Sequence, residues 1–108
     1  MAPELKTEHP HIVRVKGVRG GRPVIKSTAI EVALVVKLYK MGESADEILS
    51  MYPHLAPAAV YDALSYYHDH QKEIEQAIAD QDIHSILDQH SLSIDSQGRI
   101  VPKANKLH

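Results

Sequence analysis

From Val60 onward, apolar residues recur at intervals of four, three, four, three and four: Val60, Leu64, Tyr67, Ile74 and Ile78, with Gln71 standing in the same row. That recurrence marks one face of an α-helix. Pro57 is placed to open it, at a first helical position where a missing N–H costs nothing. A helix from Pro57 to about Asp80 would be roughly 35 Å long at 1.5 Å per residue. Two short companion helices cannot cover so long a face, so its second half must meet the tail, another copy of the chain or a partner. The spacing therefore predicts a homodimer seam of Tyr67, Gln71, Ile74 and Ile78, in which Gln71 fixes the register.

The companions are legible upstream. Val32, Val35, Val36 and Tyr39 recur at helical spacing, and Gly42 is placed to close that helix in a left-handed conformation. Ser44-Ala-Asp-Glu47 has the form of a capping box, and Pro53 keeps the helix it starts short. Before these helices, His11–Val15 and Arg22–Ile30 read as two short extended segments joined around glycines, with Pro23 suited to an edge. After the seam comes a brief helical stretch around Ile83, Ile86 and Leu87. Leu92–Ile94 and Arg99–Val101 then flank Asp95-Ser-Gln-Gly98 as a second hairpin, and Pro102–His108 is expected to fray.

The predicted fold is mainly α. It has a three-helix helix-turn-helix core, a short N-terminal β-hairpin or ribbon, a long third helix and a C-terminal β-hairpin. Residues 9–80 form the domain and 81–108 a C-terminal extension. A chain of 108 residues has room for one core, and its 28 Leu, Ile and Val make that core aliphatic, with neither Phe nor Trp. Without cysteine there is no disulfide, thiolate metal site or Cys nucleophile. No apolar run approaches the roughly 20 residues that cross a bilayer, and the start lacks a signal-peptide core, so a cytoplasmic location is expected.

The net charge of −2 conceals a partition: residues 1–40 sum to +5, 41–90 to −9 and 91–108 to +2. Opposite potentials suit different partners. The cations Arg14, Lys16, Arg19, Arg22 and Lys26 cluster in the glycine-containing ribbon and are the expected DNA contacts, because β-ribbons enter grooves. On a helical wheel Asp62, Asp69, Glu73 and Asp80 fall on one line opposite the seam, with Tyr66 beside it. That line is the expected surface for a protein partner, Tyr66 its aromatic anchor. Ala58, Ala59, Asp62 and Ser65 occupy the early positions of the helix, where base reading calls for Arg, Lys, Asn or Gln, so this helix is not expected to read sequence.

No catalytic or metal-ligating pattern emerges. The histidines of His68-Asp-His70 point about 200° apart on a helix and cannot share an ion, while His9 and His11 lack an evident third ligand. There is no Gly-x-Ser-x-Gly and no glycine-rich phosphate loop opening a helix. The chain is expected to be no enzyme, with no cofactor, no metal, no small-molecule substrate and no membrane partner.

Four stretches carry a resemblance: His9-Pro-His-Ile, Gly20-Gly-Arg-Pro-Val-Ile25, Gly42-Glu-Ser-Ala-Asp-Glu-Ile-Leu49 with Tyr52-Pro-His-Leu55, and Ala63-Leu-Ser-Tyr66. Over residues 9–70 the chain resembles the bacterial domain-of-unknown-function 433 family. The resemblance implies a small helix-turn-helix fold with an N-terminal β element. It further implies an antitoxin that neutralises a PIN-type ribonuclease toxin and binds its own operator DNA. The alternative is a structural or oligomerisation domain whose helix-turn-helix has lost DNA binding. One departure is pointed: the family's Gly-Thr-Arg-Ile-Pro-Val is here Ser27-Thr-Ala-Ile-Glu-Val32, so Ser27, Ala29 and Glu31 replace Gly, Arg and Pro.

Overall fold

A computed structural model describes residues 4–103. The expected fraying between Pro102 and His108 lies, beyond Lys103, outside the described residues. Three short strands, β1 (Glu4–Lys6), β2 (Ile12–Val15) and β3 (Val24–Ile25), form an antiparallel sheet in that order. Glu4 faces Val15, and Ile12 faces Ile25. The ribbon thus has one strand more than its β-branched runs suggest, because Glu-Leu-Lys carries no strand signal of its own. Thr7 shapes the β1–β2 loop, its hydroxyl donating to the Ile12 carbonyl at 2.7 Å and accepting from the His9 N–H at 3.1 Å.

Helix α1 (Val32–Lys40) is the centre of the molecule, with six of its nine residues buried. It closes as the sequence predicts: Gly42 takes φ 102°, the Glu43 N–H reaches back to Leu38 and the Gly42 N–H to Tyr39. The capping box of α2 (Ala45–Met51) is complete, with the Glu47 N–H on Ser44 Oγ at 3.1 Å and the Ser44 N–H on Glu47 Oε1 at 2.7 Å. Tyr52, before Pro53, ends it.

The long helix is delivered as two. Helix α3 (Pro57–Asp69) stops at His70, whose φ of −137° and ψ of 45° leave the helical region, and α4 (Gln71–Ala79) restarts at once. Neither proline nor glycine marks the break. It turns α4 back along α1, so that Ile74 is 1% exposed and Tyr67 and Ile78 pack partly buried against the same core. Full burial of one such isoleucine contributes about 1.5–3 kcal/mol. Gln71 is exposed and within reach of its neighbour His68. The premise of the expected seam, a face that one chain cannot cover, therefore does not hold.

Helix α5 (Ile83–Gln89), capped by Asp82, leads into the hairpin β4 (Leu92–Ile94) and β5 (Ile100–Pro102). Ile86, Leu87, Leu92 and Ile100 join the core of the first eighty residues, so the extension is packed and not an appendage. Among the described residues no helix is long and apolar enough to cross a membrane.

Candidate functional site

The two charged surfaces expected from the sequence meet inside the molecule. His9, buried in the β1–β2 loop, lies between two carboxylates of α3: Nδ1 is 2.8 Å from Asp62 Oδ1 and Nε2 is 2.7 Å from Asp69 Oδ2. The other oxygen of Asp62 accepts the His11 N–H at 2.8 Å. Burial alone would lower the His9 pKa, but the hydrogen bonds and charges of Asp62 and Asp69 outweigh it and hold it above the usual 6.5. One turn along, Arg14 on β2 pairs with Glu73 on α4, and its Nη2 donates to Tyr66 Oη at 3.0 Å. Tyr66 Oη donates in turn to Glu73 Oε1 at 3.1 Å. Beside these, His70 Nε2 is 2.6 Å from Glu8 Oε2, and the His70 ring stacks on Tyr66 with centroids 4.2 Å apart.

The acidic line is therefore mostly a docking strip for the ribbon. Asp62, Asp69 and Glu73 are matched by His9 and Arg14, while Asp80 stays exposed and accepts from Gln76. Tyr66 is 1% exposed and no surface anchor. Burial pushes its phenol up to about 12, so it stays a proton donor. The wheel centred the buried face on Val60, Leu64 and Tyr67, whereas the buried residues are Ala59, Val60, Ala63 and Tyr66. That is a rotation of roughly 80° at 100° per residue. Its cause is the pair of alanines, small enough to seat α3 closely against its neighbours and invisible to a search for large apolar residues.

Of the five ribbon cations, three are engaged. Arg14 is bound as described. Arg19 Nε donates to the Ala29 carbonyl at 2.7 Å and its Nη2 to the Gln89 carbonyl at 2.8 Å. Arg22 Nε meets Glu31 Oε1 at 2.6 Å. Lys16 and Lys26 are exposed and, with Lys6, join no ion pair among the described residues. Ala58, Tyr61, Ser65 and His68 form an exposed row on α3 without a carboxylate, and Asp69 is exposed beside that row at the end of the helix.

The departure noted at residues 27–32 has a structural counterpart. Ser27 adopts φ 67°, a left-handed conformation that glycine takes without strain. Glu31 is 0% exposed and stands immediately before α1, its carboxylate bonded to no amide of the helix. Besides Arg22 it meets His90 of the extension, whose Nε2 accepts the Glu31 N–H at 3.3 Å while Nδ1 donates to the Ile86 carbonyl at 2.8 Å. Tyr52 Oη completes the tie on the His90 carbonyl at 2.7 Å.

A family model described as "Protein of unknown function (DUF433)" matches residues 12–67. Among solved structures the chain is similar to a DUF433 member from Anabaena variabilis, with 32% identity, coverage of 64% of this chain and 68% of that one, and a TM-score of 0.62. No curated protein matches. Helices α4 and α5 and the second hairpin lie outside the residues that the family model matches.

Proposed function

Since the chain belongs to the DUF433 family, and α1, α2 and α3 pack pairwise as a helix-turn-helix core, we propose that it is a non-catalytic DNA-binding module of the antitoxin type. The observation that carries this reading is the exposed row Ala58, Tyr61, Ser65 and His68 on α3, which holds no carboxylate. Asp62 and Glu73, which would repel phosphates, are turned to the ribbon and bound there by His9 and Arg14, and the more open Asp69 contacts the same His9. Tyr61, Ser65 and His68 are left to approach a groove.

Affinity in this reading comes from the exposed Lys6, Lys16 and Lys26. Three phosphate contacts give a log–log salt slope of about −3, and non-specific dissociation constants of such modules lie near 10⁻⁴–10⁻⁶ M. Base discrimination is modest, because the face holds no Arg, Lys, Asn or Gln. The test is fluorescence anisotropy of labelled duplex from the chain's own upstream region, titrated at several salt concentrations. Lys16→Ala and Lys26→Ala should each flatten the slope by about one. Binding that is absent at tens of micromolar protein in low salt, or whose slope neither substitution moves, refutes the reading. The structural or oligomerisation alternative would then stand.

The same proposal includes a protein partner, the PIN-type ribonuclease that antitoxins of this kind neutralise. Tyr39 and Met41 at the end of α1, 53% and 40% exposed, support it as an apolar patch suited to a protein and not to a phosphate backbone. Co-purification with a PIN-domain protein encoded alongside, lost on Tyr39→Ala, is the expected result.

A further inference from the structure

We propose that Glu8, His9 and Asp69 bind one divalent transition-metal ion of the zinc class. No two of these residues but the sequence neighbours suggest each other; folding brings them together. Ligand atoms of Glu8, His9 and Asp69 all lie within 4.8 Å of one another, and His70, its Nε2 2.6 Å from Glu8 Oε2, stands behind that carboxylate. The third ligand that His9 lacks in the sequence is supplied from the far end of α3.

The orientation of His9 is what separates this cluster from a chance gathering of polar groups. Asp62 takes the Nδ1 side of the ring and is itself fixed by the His11 N–H, which leaves Nε2 directed at Asp69. A carboxylate behind a ligating imidazole fixes the ring and raises its basicity, the arrangement that metal sites use. Metal–ligand bonds near 2.1 Å at a tetrahedral angle place neighbouring ligand atoms about 3.4 Å apart. The 2.7 Å contact from His9 to Asp69 must therefore open by about 0.7 Å, and the Asp69 side chain, 59% exposed, is free to make that move. Glu8 is equally open at 58%, which gives an ion a path from solvent to the buried imidazole.

One imidazole and two carboxylates, with water in the fourth position, suit Zn²⁺ or Co²⁺, whereas Ca²⁺ and Mg²⁺ call for all-oxygen sets. Binding exchanges protons for the ion, since imidazole ligates only when neutral. The ion would fasten the β1–β2 loop to α3 beside the residue where the helix breaks.

The experiment uses the full chain without a histidine tag. Co²⁺ is titrated by visible absorption, and Zn²⁺ by calorimetry and by displacement of the cobalt. A 1:1 complex with the intense absorption of tetrahedral Co²⁺, bleached by Zn²⁺, is expected. His9 is buried and its removal disturbs the fold, so the exposed ligands carry the test: Glu8→Gln and Asp69→Asn, with unchanged circular dichroism, should each weaken binding at least about tenfold. His54→Gln, at an exposed histidine in the turn between α2 and α3, should leave it unchanged. Absorption no different from aqueous Co²⁺, or Zn²⁺ binding that neither Glu8→Gln nor Asp69→Asn alters, overturns the proposal.

Discussion

Replacing Arg22 by alanine should strand a buried carboxylate. Glu31 is fully buried, its Oε1 rests on Arg22 Nε at 2.6 Å, and its Oε2 has no hydrogen-bond partner among the described residues. The nearest alternative is His90 Nε2 at 3.7 Å, a nitrogen already accepting the Glu31 N–H. Removing one partner of a buried pair costs about 3–5 kcal/mol, because the other charge is left without compensation. Arg22 is about a third exposed, so water can enter where it stood, and the lower end of the range applies. A loss of about 3 kcal/mol in a domain of this size lowers Tm by about 12 °C or more. Urea unfolding at neutral pH, followed by circular dichroism, measures it. The second arm is Arg22→Ala combined with Glu31→Gln, which removes the stranded charge and should recover most of the loss. A single variant within about 1 kcal/mol of the parent, or a double variant no better than the single, refutes the reasoning.

Three further outcomes are expected. Ser27→Gly should stabilise by about 0.5–1 kcal/mol, since it relieves a left-handed φ in the turn, and a lower Tm would show that the Ser27 side chain matters more than its backbone. Burial holds the His90 pKa below 6.5, so its contribution is complete above about pH 6.5 and falls away as pH drops through the lower folded value; His90→Gln should flatten that acid limb in urea titrations. Tyr66→Phe leaves Arg14 and Glu73 short of one partner each and should cost about 1–2 kcal/mol, read as a shifted urea midpoint with unchanged slope.

The elements whose causes are local were legible in the sequence. Gly42, the Ser44–Glu47 box, Pro57 and the Asp95–Gly98 turn each act within a few residues, and each does what its chemistry requires. The break at His70 was not legible, because nothing local causes it. The gain comes from laying Ile74 on α1 and from seating His70 between Tyr66 and Glu8, contacts made with residues far off in the chain. Charge misled for the same reason. A basic segment and an acidic helix look like two surfaces until a fold is available in which each is the other's partner. The candidate site was not legible: His9 lacks a third ligand in the sequence, His70 can be weighed there only with His68, Asp69 reads as part of the acidic line, and Glu8 carries no signal.

The tie between the ribbon and residues 89–90 makes the C-terminal extension an intramolecular ligand of the N-terminal domain. Arg19 holds the Gln89 carbonyl across 70 residues of sequence, and Glu31 meets His90 across 59. What presents this ligand is the short connection from Asp80 to Asp82 between α4 and α5. A connection so short keeps the extension at an effective concentration in the millimolar range. Cutting it would convert that constant presence into ordinary bimolecular affinity, and the amide at the start of α1 would lose its acceptor whenever the fragment left. The start of the central helix is thus secured by residues more than fifty positions downstream, through a connection that touches neither.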